Sequence, residues 1–256
     1  MRLALLQLNP TVGAIEDNAA RLGERLARCR GVDLCVATEM ALTGYPPRDL
    51  LLQPDFIQRA WEVLGQFAAA AAQAPPVLVG LPVRNPAPLG RPLFNAAALV
   101  HGGTIARVFH KALLPTYDVF DEDRYFEPGV GGGWFDLDGT RVAVSICEDI
   151  WNDRDFWARR RYRVDPVEEA DRSGAAVLVN LSASPFAAGK QDLRERMIAA
   201  LAQKYEMTVA YVNQTGGNDD LIFDGRSFVC GPHGTVVARA EAFAEDTLIV
   251  ETAVPP

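Results

Sequence analysis

The chain has 256 residues, 49% hydrophobic and 23% charged, a balance that supports a sizeable core and excludes disorder as the main state. Lys and Arg number 25 against 33 Asp and Glu, for a net charge of -8, so the surface repels phosphate backbones and a general nucleic-acid binder is excluded. The four cysteines, Cys29, Cys35, Cys147 and Cys230, form no C-x-x-C pair, and the 3 histidines add no zinc-type spacing. A reduced, cytoplasmic, metal-free protein is the simplest expectation.

The opening apolar run is too short for a signal peptide and reads as a strand over 3–8. A helix over 15–30 follows, opening near Glu16 and Asp17 as the helix dipole favours. Next come a strand over 32–37, a helix over 55–74, and strands over 77–81, 95–101 and 104–110. Gly102-Gly103 between the last two is a hairpin signal. A glycine-rich loop, 129–133, precedes a strand pair around Trp134 and Phe135, and it lacks the Lys-Ser/Thr of a phosphate-binding P-loop. Strands are expected over 141–146, 175–180 and 208–213. A helix over 190–205 carries Leu193, Met197 and Leu201 on one face. Short strands over 228–230, 235–239 and 248–251 finish the chain.

Short β-rich runs alternating with helical segments describe an α/β layered domain, and a hairpin among helix-linked strands makes the sheets mixed. No stretch approaches the roughly 18 apolar residues of a membrane span. Nothing in the composition marks a boundary, so residues 1–256 are expected to form a single domain. One stretch, 152–171, stands apart: Arg154, Arg159, Arg160, Arg161 and Arg163 precede Pro166 and several acids. It reads as a solvated insertion of mixed charge, with a partner-binding arm as the lesser alternative.

In an α/β protein reactive groups sit at strand ends, where the sheet fixes the backbone and the loop reaches solvent. Glu39, Lys111 and Cys147 each follow an expected strand. Alone, each has a bland reading: a water-facing acid, a snorkelling lysine, a small buried hydrophobe. Together they make a nucleophile, a base for its proton and a cation for the charge that develops.

Longer words surround these three residues. They are the run from Glu39 to Leu50 (E-M-A-L-T-G-Y-P-P-R-D-L), the run from Leu114 to Gly129 (L-P-T-Y-D-V-F-D-E-D-R-Y-F-E-P-G), C-E-D-I-W from Cys147, S-A-S-P-F from Ser182, and Y-V-N-Q-T-G-G from Tyr211. Over nearly the whole chain they resemble the nitrilase (carbon-nitrogen hydrolase) superfamily, and more narrowly the N-terminal glutaminase domain of glutamine-dependent NAD synthetase.

That resemblance implies a four-layer αββα sandwich of the nitrilase type with mixed sheets. It implies that Cys147 attacks the side-chain amide of glutamine, that Glu39 is the base, and that Lys111 with the backbone N–H of Glu148 stabilises the oxyanion. Tyr45, Tyr117, Glu122, Trp151, Ser184 and Lys190 are implied to hold the substrate. Free glutamine needs an acid and a cation for its charged ends, for which Glu122 and Lys190 are sensible partners. No cofactor or metal is implied, and a homo-oligomer is. Ammonia would pass to a synthetase domain or subunit, since the chain contains no S-G-G-x-D-S phosphate loop.

The sequence departs from the superfamily pattern at Thr38, where proline is usual, and in a longer interval from Cys147 to Ser184. Two other readings compete: a free-standing amidase for another small ω-amide, and a docking domain without activity. The intact Glu39, Lys111 and Cys147 weigh against the second.

Overall fold

The computed structural model describes residues 1–252. Its first part comprises β1 (Arg2–Gln7), α1 (Ile15–Leu26), β2 (Leu34–Val36), α2 (Pro54–Ala70), β3 (Val77–Arg84), β4 (Leu93–His101) and β5 (Thr104–His110). The second comprises β6 (Trp134–Leu137), β7 (Thr140–Ile146), α3 (Pro166–Arg172), β8 (Val177–Ser182), α4 (Lys190–Tyr205) and β9 (Thr208–Asn213). After these come β10 (Thr215–Asn218), β11 (Leu221–Asp224), β12 (Phe228–Cys230), β13 (Val236–Arg239) and β14 (Asp246–Glu251).

Two six-stranded sheets result, in the orders β14-β1-β2-β3-β4-β5 and β13-β12-β9-β8-β7-β6. Both are mixed. β1, β2 and β3 run parallel, as do β7, β8 and β9, while β4 and β5 form an antiparallel hairpin. Gly102 and Gly103 at its tip both have positive φ, 56° and 82°, the geometry of a primed two-residue turn. β14 returns to pair antiparallel with β1.

Strand alternation builds the layers. In β1, Leu3 and Leu5 face the other sheet, whereas Ala4 and Leu6 face α1 and α2. Both faces are thus buried, which is why these strands read as continuous apolar runs. The inter-sheet core joins Leu34, Val36, Leu78 and Phe109 to Val144, Ile146, Val179 and Val212. A third core packs α3 and α4 on the far face of the second sheet through Val167, Met197, Ile198 and Leu201. The four-layer αββα sandwich implied by the resemblance is the architecture observed.

Several boundaries move for local reasons. α1 stops at Leu26, and residues 27–29 continue as tight turns, with Arg28 and Cys29 donating to the carbonyls of Arg25 and Leu26. α2 starts at Pro54, a residue suited to the first helical position, and ends before Pro75-Pro76. α4 keeps its expected limits, yet Leu193 is only partly buried and the fully buried side chain beside it is Arg194. The β10–β11 hairpin was not anticipated, because its Thr-Gly-Gly-Asn strand carries no apolar alternation.

The reading of 152–171 as a solvated insertion is corrected. Its C-terminal part is α3, capped by the Asp165 carboxylate, which accepts from the N–H groups of Val167 and Glu168, with Val167 and Ala170 in the core. Seven residues are too few for a helical period to stand out among so many charges.

Candidate active site

The C-terminal ends of β2, β5 and β7 lie at one end of the sandwich and release Glu39, Lys111 and Cys147 respectively. Beyond β2 the chain folds into consecutive turns, with Ala41 N–H on Thr38 O and Gly44 N–H on Met40 O. This turn keeps Glu39 in place although Thr38 stands where proline is usual. The turn also leans on β3: Leu42 N–H donates to Gly80 O, and a Cβ at Gly80 would lie 2.4 Å from both Met40 N and Thr38 O. Only glycine fits there.

Glu39 and Lys111 are fully buried. Lys111 Nζ lies 2.7 Å from Glu39 Oε1 and 2.8 Å from both carboxylate oxygens of Glu122. Asn95 Nδ2 donates to Glu39 Oε1 at 2.7 Å, Ala183 N–H donates to Glu39 Oε2 at 3.0 Å, and Tyr45 Oη donates to Glu122 Oε1 at 2.8 Å. Burial alone would lower the lysine's pKa, but the charges of Glu122 and Glu39 outweigh it and hold the ammonium well above its ordinary value. Burial pushes Glu122 up to about 7, with Lys111 pulling the other way. Two acids around one cation thus share a dry site, the arrangement in which one carboxylate retains a proton near neutrality.

Cys147 follows β7 with φ at 43°, a conformation that costs a non-glycine residue strain and turns the thiol out of the strand. Burial raises the thiol's pKa, Glu39 adds to the rise, and Lys111 opposes it. The resting sulfur is therefore a neutral thiol beside a base, so its proton leaves when the base takes it. Asp149 locks the loop by accepting from the N–H groups of Ala112 at 3.0 Å, Leu113 at 2.9 Å and Ile146 at 2.9 Å. The lysine and cysteine loops thus share one anchor.

Above Cys147 opens a cavity of about 320 Å³ lined also by Tyr117, Asp118, Phe120, Glu148, Trp151, Trp157, Arg159, Arg161, Ser184 and Lys190. Of the residues expected to hold substrate, Tyr117, Trp151, Ser184 and Lys190 meet here. Tyr45 and Glu122 do not; they line a neighbouring hollow, and Glu122 is engaged by Lys111. Two acids line the cysteine cavity, Asp118 and Glu148, and Glu148 Oε1 accepts from Tyr117 Oη at 2.9 Å and Tyr162 Oη at 3.0 Å. Burial raises its pKa, while these two hydroxyls and nearby cations favour the charged form.

Sequence reasoning set the arginines of 152–164 in a solvated insertion. Arg161 stacks over Tyr117 at 3.9 Å, and Arg159 and Arg161 form part of the cavity wall, so residues 152–164 border the site rather than standing off in solvent. Asn95 was visible as one amide in an otherwise apolar strand, and Ala183 carried no side-chain signal because its contribution is a backbone N–H.

A nitrilase-type sandwich with a cysteine beside a buried glutamate–lysine pair defines a carbon–nitrogen hydrolase. The Carbon-nitrogen hydrolase family profile matches residues 2–254, and the chain belongs to that family. It is an amide-cleaving type of enzyme, similar to the N-terminal glutaminase part of glutamine-dependent NAD(+) synthetases. The synthetase of Synechocystis sp. is 44% identical over 253 residues, covering 97% of this chain and 45% of that protein. The solved structure of the Acinetobacter baumannii enzyme, a glutamine-dependent NAD+ synthetase in complex with ADP, superposes with a TM-score of 0.85 at 33% identity over 97% of this chain and 44% of the other. An amidase from Nesterenkonia sp. shares the fold at TM-score 0.80 and 21% identity, over 98% of this chain and 89% of its own. The chain spans less than half the length of the synthetases it matches. Among the described residues, no helix is long and apolar enough to cross a membrane.

Proposed function

We propose that this chain hydrolyses the side-chain amide of free glutamine and delivers the ammonia to an NAD synthetase domain or subunit, residues 1–256 acting as one hydrolase domain. The observation that carries the proposal is the placement of Cys147 between a dry Glu39–Lys111 pair and a cavity whose walls bear both signs of charge. The printed names of the relatives support glutamine as the substrate.

Glu39 takes the thiol proton as the sulfur of Cys147 attacks the amide carbon, forming a tetrahedral oxyanion. Lys111 and the backbone N–H of Glu148 stabilise that oxygen, a contribution worth about 3 kcal/mol for one such donor. The carbon–nitrogen bond then breaks, the nitrogen takes the proton from Glu39 and leaves as ammonia, and a γ-glutamyl thioester remains. Water, deprotonated by Glu39, attacks the thioester; glutamate departs and the sulfur regains its proton. At the open end, Glu148 faces the substrate ammonium, while Lys190, Arg159 and Arg161 supply cations for its carboxylate. A neutral aliphatic amide would leave those groups unpaired, which disfavours it.

The test compares kcat/KM for ammonia release from glutamine, asparagine and propionamide. Glutamine is expected to lead by at least about tenfold, the value of one charge-assisted contact. Equal values for all three would refute the narrower substrate claim.

A further inference from the structure

Arg194 is fully buried on α4, one turn beyond Lys190, and the mechanism above does not use it. A buried guanidinium is costly unless its donors find partners, and here Nη1 and Nη2 have specific ones while Nε has none. Nη1 holds both oxygens of Asp224, at 2.8 and 3.0 Å. Nη2 donates to Ser184 O at 2.9 Å, Ser184 Oγ at 3.2 Å and Pro185 O at 3.1 Å.

Those acceptors belong to the cavity wall. Ser184 lines the cavity above Cys147, and Pro185 O also accepts from Lys190 Nζ, another lining residue, at 3.0 Å. Asn213 at the end of β9 completes the hold, its Oδ1 accepting from Ser184 N–H at 2.8 Å and its Nδ2 donating to Ser184 O at 3.2 Å. One planar cation therefore fixes a hydroxyl and a lysine that face the same space, and it is anchored through Asp224 to the β10–β11 hairpin. Burial lowers the pKa of Lys190, and the positive charge of Arg194 lowers it further, so the two cations are coupled.

We infer that Arg194 is a positioning residue of the hydrolase, aiming Ser184 and Lys190 at the polar end of the substrate. The inference rests on the glutaminase reading for its substrate, but the residue's action on Lys190 does not depend on which amide is cleaved. Lysine cannot replace it, because a single ammonium cannot span Asp224 and the two carbonyls.

The test uses the full chain with Arg194→Lys, which keeps a charge for Asp224. A double variant, Arg194→Met with Asp224→Leu, removes both charges and leaves neither orphaned. Three quantities are read on folded protein: kcat/KM for glutamine, the rate of Cys147 alkylation by iodoacetamide, and the rate of Lys190 acetylation by acetic anhydride relative to Lys204 at the other end of α4. Both variants are expected to lose at least about tenfold in kcat/KM while alkylation stays within about twofold. Relative acetylation of Lys190 is expected to change at least about threefold, since its hydrogen-bond partner is no longer held. A parent that releases no ammonia from glutamine would refute the glutaminase reading, and the Lys190 ratio would then decide the role of Arg194. An unchanged Lys190 ratio overturns the inference whatever the substrate. So does alkylation falling in parallel with turnover, which would mark a general collapse of the site, and if Arg194→Lys fails to fold the double variant decides on the same readings.

Discussion

Replacing Lys111 by methionine separates charge balance from packing, because methionine keeps an unbranched stem and drops the ammonium. In the parent, Lys111 is fully buried with Glu39 at 2.7 Å and Glu122 at 2.8 Å. Its loss leaves two carboxylates facing one another away from water, and breaking a buried ion pair on one side costs roughly 3–5 kcal/mol. Carboxylates recover part of that cost by binding protons, which makes the penalty depend on pH. Burial pushes Glu122 up to about 7 in the parent, so up to that pH the native cluster already holds one proton. Without the lysine it should hold two.

The sign follows from proton counts. Unfolded chains have released both protons above the ordinary carboxylate range, so a native state that retains protons loses stability as pH rises. Each retained proton contributes about 1.4 kcal/mol per pH unit, and the variant retains one more than the parent. The gap between them therefore widens by about 3 kcal/mol between roughly pH 5 and 7. Urea unfolding of both proteins at about pH 5, 6 and 7, followed by tryptophan fluorescence, measures this directly. A gap that stays constant with pH would refute the claim that Lys111 balances two buried carboxylates. Ammonia release from the variant is expected to be lost at every pH.

Cys147→Ala and Cys147→Gly should both abolish ammonia release, and the glycine variant should unfold at equal or higher denaturant, because φ of 43° strains alanine but not glycine. A clearly less stable glycine variant would contradict the strain. Tyr162→Phe removes one of the hydroxyls that hold Glu148, and kcat/KM for glutamine should fall about tenfold with iodoacetamide labelling of Cys147 unchanged. No change in kcat/KM would show that the segment over residues 152–164 does not orient that acid. Thr38→Val deletes a buried hydroxyl that has no hydrogen-bond partner, and chemical denaturation should show a gain of about 1 kcal/mol with turnover retained. A loss of stability would mean the hydroxyl is satisfied after all.

Much of the layered architecture was legible because the strands are buried on both faces and so appear as apolar runs separated by helical periods. Glu39, Lys111 and Cys147 were legible because each interrupts such a run at its end. The substrate cavity was less so. Glu122 lies eleven positions after Lys111, close enough in sequence to suggest a shared site, but only the fold decides that it meets the lysine and leaves Glu148 for the cavity. The arginines of 152–164 look like solvent charges because nothing in their spacing records that Arg161 lies flat on Tyr117. Arg194 was hidden by its neighbours: Leu193, Met197 and Leu201 suggested an apolar face, and a buried cation becomes credible only when Asp224 is brought to it from 30 residues away. Long-range polar pairs of this kind carry no local periodicity.

The arrangement divides the work between two electrostatic environments. Around Glu39, Lys111 and Glu122 the site is dry, the groups are pinned by Asn95, Tyr45 and Ala183 N–H, and the uncharged amide is the only part of glutamine that can approach without a desolvation penalty. In the cavity beyond Cys147, Glu148 faces Lys190 and the arginines, a surface that rewards a zwitterion and leaves a simple amide with nothing to pair. Under the proposed function, glutamine is long enough to place its amide in the first environment and its charged ends in the second, which would put chemistry and selectivity on different residues. Substitutions among the buried trio should therefore appear in kcat for every amide, whereas substitutions at Tyr162, Lys190 or Arg194 should narrow the gap between glutamine and uncharged competitors. On a chain of net charge -8, the cavity still brings Arg159, Arg161 and Lys190 together beside Asp118 and Glu148, so under the proposed function the anionic end of the substrate meets local cations although the overall surface repels anions.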